Sequence, residues 1–204
     1  MAYYRSGYTP TDYPTSAEWD ARLKVERSLA IKCPNIGYHL AGMKKVQQDL
    51  ARPGSVERFV SAESAQRLRG SFTGLYPVTD ESIAMALANP ADYVLKPQRE
   101  GGGNNFYDDE IPKKLGEMTV EDRKAYILMD KIKPPTVVST LIRLGQRVKL
   151  EVVSEVGIYG VFIGTGDTVH YNVEGGHLVR TKGSSVNEGG VAAGYAYLDS
   201  PILV

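Results

Sequence analysis

The amino-acid sequence predicts an α+β protein in which helices come first along the chain and strands dominate afterwards. Three observations support this class. Apolar residues recur at helical spacing through the first ninety residues, short apolar runs bounded by glycine follow, and a Gly-Thr-Gly-Asp turn separates the β-rich segments 158–163 and 168–173. The mixture of strands and helices indicates one sheet-and-helix domain from about residue 43 to the end.

Length and charge limit the kind of protein that this sequence encodes. The chain has 204 residues, of which 42% are hydrophobic, and its 24 Lys and Arg balance 24 Asp and Glu. A neutral chain argues against a surface built to hold nucleic acid or anionic lipid. The single cysteine, Cys33, has no partner for an internal disulfide, and the nearly apolar stretch at 157–164 is too short to span a bilayer. These features predict a cytoplasmic protein without nucleic-acid or membrane partners.

Four helices are predicted in the first ninety residues, over about 16–31, 43–51, 63–68 and 80–88. The first opens with the capping-box pattern of Thr15 and Glu18. In the last, Asp80 is the expected N-cap. The residues of that helix expected to face inward are Ile83, Ala84 and Leu87.

Strands are predicted in the remainder of the chain, over 93–95, 126–129, 148–152, 158–163, 168–173 and 178–181. Charged residues alternate with the apolar ones at 148–152, so that strand is expected to have one solvated side. Residues 183–194 are mostly Gly, Ser and Ala and predict a mobile loop.

The most informative motif is Lys96-Pro97-Gln98-Arg99-Glu100-Gly101-Gly102-Gly103-Asn104-Asn105, which directly follows a predicted strand. Three consecutive glycines expose backbone N–H groups, and Lys96 and Arg99 add positive charge, as a phosphate-binding loop requires. A carboxylate within such a loop, Glu100, is explained best as a ligand of a bridging Mg²⁺. The alternative interpretation is a flexible surface turn.

Three further segments of the sequence can each be interpreted in two ways, as part of a binding site or as ordinary surface or core residues. Lys44 and Lys45 open a helix, where they reach a nucleotide phosphate as point charges or form a solvated pair. Arg180 and Lys182 end a strand, where they hold a carboxylate and a phosphate or are ordinary surface charges. The strand over 126–129 leads into backbone that meets an adenine edge or simply leaves the core.

Other chemistries are not indicated by the sequence. His39, His170 and His177 show no metal-ligand spacing with one another. No Gly-x-Ser-x-Gly motif is present, and Cys33, which precedes Pro34, has no local sign of activation. The sequence therefore supports neither a metal hydrolase nor an enzyme with a covalent intermediate on a side chain.

Nine segments along nearly the whole chain form a series: Arg5-Ser6-Gly7-Tyr8, Glu26-Arg27-Ser28, Lys32-Cys33-Pro34, residues 40–48, the motif at 96–105, residues 126–131, Ser154-Glu155, Arg180-Thr181-Lys182, and residues 189–194. In this order the segments resemble the C-terminal part of the eukaryotic glutathione synthetases, a family of ATP-grasp ligases. The resemblance implies an ATP-grasp fold with mixed and antiparallel sheets, helices and two glycine-rich loops, incomplete at its N-terminal side. It also implies that residues 1–42 end the substrate-binding segment and that 43–204 form the nucleotide-binding region.

The resemblance assigns residues to ATP and Mg²⁺. Lys44 and Lys96 are similar to the lysines on the ATP phosphates, and Glu100 is similar to a magnesium ligand. The loop that closes over the phosphates corresponds to Gln98, Arg99, Glu100, Gly101, Gly102, Gly103, Asn104 and Asn105. The remaining nucleotide contacts correspond to Tyr107, Met129, Asp130, Lys131, Ile132, Glu155, Lys182 and Glu188.

The resemblance also assigns a substrate side. Arg5 and Tyr8 are similar to the pair that holds the peptide, and Arg180 with Val191 and Ala192 is similar to the glycine-accepting form of an alanine-rich lid. The implied reaction activates the cysteinyl carboxylate of γ-glutamylcysteine with ATP and joins it to glycine. Lys96, Arg180 and Lys182 would then be catalytic by neutralising charge, since no enzyme nucleophile is required.

The sequence departs from the family in length, because its members are much longer. The resemblance places further magnesium ligands, part of the γ-glutamylcysteine site and the contacts of a homodimer in the part that this chain lacks. We therefore expect a fragment or truncated form with exposed apolar surface and poor solubility. One alternative is a non-catalytic nucleotide-binding or interaction remnant of the enzyme, and another is an ATP-grasp ligase with a different acceptor.

Overall fold

A computed structural model describes residues 1–98, 103–187, 189–191 and 194–201. The chain forms two compact units, Met1–Ile132 and Lys133–Val204. The family resemblance implies a boundary between a substrate-binding segment that ends at residue 42 and a nucleotide-binding region that begins at residue 43. That boundary stays a prediction. No helix in the described ranges is long and apolar enough to cross a bilayer.

The first unit combines helices with two small sheets. Its helices, within the described residues, are α1 (Ser16–Arg27), α2 (Ile36–Ala41), α3 (Lys44–Ala51), α4 (Ala62–Arg69), α5 (Asp80–Ala88), α6 (Glu110–Glu117) and α7 (Val120–Arg123). Its strands are β1 (Ala2–Tyr3), β2 (Lys32–Cys33), β3 (Leu75–Pro77), β4 (Tyr93–Pro97), β5 (Phe106–Tyr107) and β6 (Tyr126–Asp130). Strands β1 and β2 pair in parallel, and the others form an antiparallel sheet in the order β3-β6-β4-β5. The largely helical character predicted for the first ninety residues is confirmed.

Helix α1 begins as predicted and ends a turn early. The Thr15 side chain accepts a hydrogen bond from the Ala17 N–H (3.2 Å), and the Glu18 carboxylate accepts one from the Thr15 N–H (2.9 Å), which completes the capping box. Ser28 adopts an extended backbone, and its hydroxyl donates to the Val25 carbonyl (2.7 Å). The predicted end near residue 31 is therefore wrong, because a local serine bond ends the helix at Arg27.

Helix α5 has the predicted bounds and a different inward face. Its N-cap is Thr79 rather than Asp80. The Ser82 hydroxyl donates to the Pro77 carbonyl (2.6 Å), which turns positions 82 and 86 toward the core, so that Ala86 is fully buried. Leu87 is 51% exposed as a result. The inward face predicted from apolar spacing is therefore wrong for Ala84 and Leu87, and Ile83 is half-buried.

The hydrophobic core of the first unit lies where α5 and α6 cover the sheet. Leu95 of β4 and Leu128 of β6 are directly paired in register, and both are almost fully buried. The buried cluster around them consists of Ala86, Leu95, Ile111, Leu115, Met118 and Leu128. Strand alternation directs the side chain of Lys96, next to Leu95, to the opposite face of this sheet.

The second unit is an antiparallel sheet in the order β10-β9-β8-β7. Its strands are β7 (Val137–Arg143), β8 (Gln146–Thr165), β9 (Thr168–Gly183) and β10 (Tyr197–Asp199). The predicted hairpin at the Gly-Thr-Gly-Asp turn is confirmed, but the strand pairs predicted on each side of it are single long strands. Register shifts between Tyr159 and Gly160 and between Ile163 and Gly164 interrupt the regular pairing, and both strands continue past them.

One face of the β8–β9 hairpin carries an exposed apolar stripe near the turn that joins the two strands. Val161 pairs with Val173 and Ile163 pairs with Tyr171 across the hairpin. These residues and Tyr159 are each 41–53% exposed. We call these five side chains the distal stripe. Its presence confirms the predicted exposed apolar surface, whereas poor solubility stays a prediction.

Candidate functional site

The segment that carries Arg5 and Tyr8 is held by an aromatic support. Gly7 has a left-handed backbone (φ +82°), and the Tyr13 hydroxyl donates to its carbonyl (3.2 Å). The ring of Tyr13 stacks on Trp19 with 4.4 Å between the ring centroids. A side chain at position 7 would also strike the Tyr13 hydroxyl. Local geometry therefore fixes the turn between the two predicted peptide-binding residues.

A buried arginine supports the same segment from the side of α1. The Arg22 guanidinium lies 3.9 Å from the centroid of the Tyr4 ring, and Arg22 is only 7% exposed. Its charge is balanced by Glu26 at 3.0 Å. The Tyr8 hydroxyl donates to the Tyr4 carbonyl (3.2 Å). Tyr4 thus links α1 to the peptide segment, a role that sequence reasoning did not predict for Arg22 or Tyr4.

Two predicted phosphate lysines are brought together by a hydrogen bond between distant parts of the chain. Lys44 begins α3, whose N-cap residue Met43 makes no side-chain cap. The Gln98 side chain supplies the missing acceptor, since its Oε1 accepts from the Lys45 N–H (3.1 Å), 53 positions away. Gln98 follows Lys96 by two residues and is itself tied to the sheet through its N–H and the Ala125 carbonyl (2.8 Å). The start of α3 and the end of β4 are therefore joined.

The glycine-rich segment is described only in part. Arg99, Glu100, Gly101 and Gly102 lie outside the described residues, so their predicted roles stay predictions. Gly103 has a left-handed backbone (φ +84°).

The segment is anchored on its far side by β5. There Asn105 donates to the Tyr107 hydroxyl (3.3 Å), and the Tyr107 N–H donates to Glu110 (3.2 Å) at the start of α6. Asn104 is half-buried beside this anchor.

Residues 129–132, where the chain leaves β6, form what we call the β6 exit segment. The Asp130 N–H donates to the Gly74 carbonyl (3.0 Å), and the Lys131 N–H donates to the Asp92 carbonyl (2.7 Å). The Lys131 ammonium binds the Asp108 carboxylate (3.0 Å). It also lies 5.7 Å from the Tyr107 ring centroid. Met129 and Lys131 are half-buried, and Ile132 is 70% exposed.

The Asp130 carboxylate, with Gly74 and Tyr76 around it, fixes the beginning of the β6 exit segment. Asp130 accepts a hydrogen bond from the Gly74 N–H (2.9 Å), and the Tyr76 hydroxyl lies next to the same carboxylate. Burial raises the pKa of Tyr76, and the neighbouring Asp130 charge raises this pKa further. Sequence reasoning missed Gly74 and Tyr76, because nothing in Phe72-Thr73-Gly74 signals a site.

A cleft of about 390 Å³ opens beside Gly74 and Tyr76. Gln48, Arg69 and Phe72 contribute to its walls, and none of the predicted nucleotide residues in the described part of the chain lines it.

The second unit places Arg180 against Glu155. These residues are a register pair of β9 and β8, and their side chains form a short ion pair. Lys182 lies two residues along the same face of β9, and its ammonium donates to the Asn187 carbonyl (2.7 Å). Arg180 is half-buried, with 33% of its side chain exposed, so its fork is accessible to a carboxylate.

The opposite face of β9 is held by a buried hydroxyl. Thr181 is 1% exposed and donates to the Asp199 carboxylate of β10 (2.7 Å). Its oxygen also lies 2.8 Å from the Ser154 hydroxyl of β8. The three polar groups join three adjacent strands directly behind Arg180 and Lys182. Uncharged and charged residues alternate over Val179-Arg180-Thr181-Lys182 in β9. This alternation is the sequence signal that places Thr181 on the buried face.

The predicted lid is described at its two ends. Val191 is half-buried, and its carbonyl accepts from the Gly194 N–H (2.9 Å). The Tyr195 N–H donates to the Gly190 carbonyl (3.0 Å). Glu188 and Ala192 lie outside the described residues. In the described ranges, no group of three or more His, Cys, Asp or Glu side chains is placed to hold a metal ion.

The antiparallel sheets with flanking helices, and the lysines at the start of α3 and in β4, define an ATP-grasp-type α+β protein. Residues 4–203 match the family described as eukaryotic glutathione synthase, ATP binding domain. The chain belongs to this family.

Individual relatives agree with this assignment. The chain is 51% identical over 213 residues to a glutathione synthetase from Dictyostelium discoideum, covering 100% of this chain and 45% of the relative. It is 46% identical over 209 residues to a chloroplastic glutathione synthetase from Arabidopsis thaliana, covering 100% of this chain and 39% of the relative. A solved structure of a glutathione synthetase-like effector from Globodera pallida, in its apo form, superposes with a TM-score of 0.69 at 29% identity, covering 91% of this chain and 40% of the effector. The chain spans less than half the length of each relative.

Proposed function

We propose that this chain is the ATP-binding part of a glutathione synthetase, which ligates γ-glutamylcysteine to glycine. The observation that carries the proposal is the Lys45–Gln98 hydrogen bond, which joins the start of α3, where Lys44 lies, to the residue that follows β4 and its Lys96. Two cations in one region suit a triphosphate, and membership of the family supports this ligand.

On the phosphate side, Lys44 and Lys96 bind the ATP phosphates, and residues 98–105 close over them. Mg²⁺, when bound, neutralises phosphate charge, and Glu100 is the residue that we assign to it. The donor types suit both ligands, since ammonium groups match phosphate and a carboxylate matches a hard cation. The remaining nucleotide contacts come from the β6 exit segment, Tyr107, Glu155, Lys182 and Glu188.

On the substrate side, Arg5 and Tyr8 hold the peptide, and Arg180 with Val191 and Ala192 faces the reacting ends. The Arg180 guanidinium pairs with Glu155 and keeps 33% of its side chain exposed, so that a substrate carboxylate can reach it. The cation then stabilises the negative charge that develops during transfer.

The reaction proceeds in two balanced steps. A carboxylate oxygen of γ-glutamylcysteine forms a bond to the γ-phosphorus, and the bond from that phosphorus to ADP breaks. The glycine nitrogen then bonds to the acyl carbon, inorganic phosphate leaves, and the amine releases its proton. Closure over the acyl phosphate excludes water, which would otherwise hydrolyse it.

For the full-length protein we propose a cytoplasmic homodimer. The neutral composition and the single cysteine support a reducing compartment. The chloroplastic relative from Arabidopsis thaliana makes an organelle the alternative.

The test begins with equilibrium binding of ATP and Mg²⁺ to the 204-residue chain. We expect Lys96→Ala to weaken binding by at least about tenfold, because it removes a charge-assisted phosphate contact. Lys113→Ala, which removes an exposed lysine of α6, is the matched control and should bind as the parent does. Failure of the parent chain to bind ATP would refute the proposal.

A second experiment separates the ligase from a nucleotide-binding remnant. The remnant is favoured by one fact, that the chain spans 45% of the length of its Dictyostelium discoideum relative. ADP release that requires both γ-glutamylcysteine and glycine identifies a ligase, whereas ATP binding without release identifies the remnant. Replacing glycine with β-alanine or serine then tests the acceptor.

A further inference from the structure

Gly74 occupies a position that no other residue can take without moving its neighbours. A Cβ built on Gly74 overlaps both the Tyr76 hydroxyl and the Asp130 carboxylate. Its backbone conformation is not left-handed, so the requirement for glycine arises from space alone. The close approach of these two polar groups over the Gly74 backbone is therefore a built feature.

Asp130 is the centre of this feature. One of its carboxylate oxygens accepts from the Gly74 N–H (2.9 Å), and the Tyr76 hydroxyl lies next to the carboxylate over the Gly74 backbone. In return, the Asp130 N–H donates to the Gly74 carbonyl (3.0 Å). Gly74 and Asp130 are thus joined by two hydrogen bonds, and the Tyr76 hydroxyl lies beside them. The Asp130 side chain therefore contacts Tyr76 of β3 and Gly74, the residue that precedes β3.

The position of the cluster in the chain gives it a consequence. Asp130 is the second residue of the β6 exit segment, and the next amide, that of Lys131, is fixed to the Asp92 carbonyl (2.7 Å). Two successive amides of the segment are therefore anchored to the first unit. The backbone that follows therefore starts from a fixed position. Recognition of an adenine edge by main-chain groups requires such positioning.

We propose that Gly74 and Tyr76 are positioning residues for nucleotide selectivity, which act by clamping Asp130 and thereby the backbone of the β6 exit segment. The proposal rests on the function proposed above, since it concerns the base of the same nucleotide. The clamp sets the choice of base, and the lysines set the affinity for phosphates. The two contributions are separable because different residues supply them.

The experiment uses Tyr76→Phe in the 204-residue chain, since this change removes one hydroxyl and keeps the ring. Amide exchange is measured first without nucleotide, and exchange at Asp130 and Lys131 should accelerate about tenfold, because the Asp130 carboxylate loses the hydroxyl beside it. Tyr126→Phe is the matched control on the same sheet and should leave these two amides unchanged. Gly74→Ala should act in the same direction, and Tyr76→Phe decides the outcome if Gly74→Ala does not fold.

Binding is then measured with ATP, GTP and inorganic tripolyphosphate, each with Mg²⁺. Tyr76→Phe should weaken ATP binding about tenfold and leave tripolyphosphate binding unchanged, so that the preference for ATP over GTP falls. A purely structural defect would weaken all three ligands together and would overturn the proposal. Unchanged exchange at residues 130 and 131 would also overturn it. If the parent chain binds tripolyphosphate and not ATP, the clamp has no nucleotide role; if it binds neither, the proposed function fails as well, whatever the exchange result.

Discussion

The two units of this chain build antiparallel sheets of four strands in opposite ways. The sheet of the first unit has short strands, and Leu95 and Leu128 at its centre are covered by two helices. The second unit has two very long strands, Gln146–Thr165 and Thr168–Gly183, whose distal halves are exposed. The first unit therefore has a hydrophobic core formed by its own helices and sheet. The second unit relies on cross-strand pairs and on the buried residues around Thr181, at the end of the sheet away from the hairpin turn.

This contrast shows that strand length does not measure stability. Cross-strand pairs contribute roughly 0.2–1 kcal/mol each, whereas burial of a Leu side chain contributes roughly 1.5–3 kcal/mol. Each fully buried leucine in the first unit thus contributes more than a single cross-strand pair in the second.

Truncation of Leu95 is expected to produce the largest effect. Leu95→Ala leaves a cavity among Ala86, Ile111 and Leu128 and should lower the free energy of unfolding by about 2–5 kcal/mol. Urea unfolding followed by the fluorescence of Trp19, which lies in the same unit, measures this loss. Ile158→Ala, at a position 66% exposed in β8, should cost less than about 1 kcal/mol by circular dichroism. Equal losses at the two positions would break the contrast between the units.

Removal of the Thr181 hydroxyl should have an intermediate effect. Thr181→Val keeps the shape of the side chain and leaves Asp199 and Ser154 without their shared partner. The free energy of unfolding of the second unit should fall by about 1–3 kcal/mol in urea titrations followed by circular dichroism. Thr168→Val, at the exposed end of the same strand, is the control and should be nearly neutral. A similar cost at both positions would show that the second unit is not anchored at its base.

The smallest expected effect is a pH dependence in the first unit. Hydrogen bonds from Arg69 hold the pKa of Glu57 at about 2, below its ordinary value of 4.5. Because the folded pKa is lowered, the stabilisation is complete above pH 4.5 and is lost as the pH falls toward 2. Glu57→Gln should therefore flatten the acid dependence of unfolding reported by Trp19.

Glu63→Gln is the matched control for that titration, since Glu63 also pairs with an arginine but is 79% exposed. Its acid dependence should follow the parent chain. Identical curves for all three proteins would contradict the assignment to Glu57.

The fold was predictable where local chemistry decides it. The capping box of α1 and the turn of the β8–β9 hairpin are both formed by residues close in sequence. Helix α6 is not among the predicted helices, because Pro112 and Gly116 interrupt its pattern, although a proline in the first turn breaks no helical bond. The inward face of α5 was wrong because the Ser82–Pro77 hydrogen bond, and not apolar spacing, orients that helix.

The candidate site was predictable as a set of charges and not as a set of contacts. The charged residues of the glycine motif and of β9 are visible in the sequence. The pairing of Arg180 with Glu155 depends on the register of two strands, which spacing alone does not determine. Gly74 is visible only through the overlap that a side chain would create. Long-range register and excluded space are therefore the information that one sequence lacks.

The hydrogen bond from Lys45 to Gln98 has a consequence for the order of folding. Helix α3 has only eight residues, and a helix this short is marginal alone in water. The acceptor that completes its first turn belongs to a residue that follows β4, so it is absent until that strand has joined the sheet. The first turn of α3, with Lys44, is therefore expected to consolidate late, after the sheet has formed. Phosphate-binding geometry at this helix is then acquired only by a chain whose sheet is already in register.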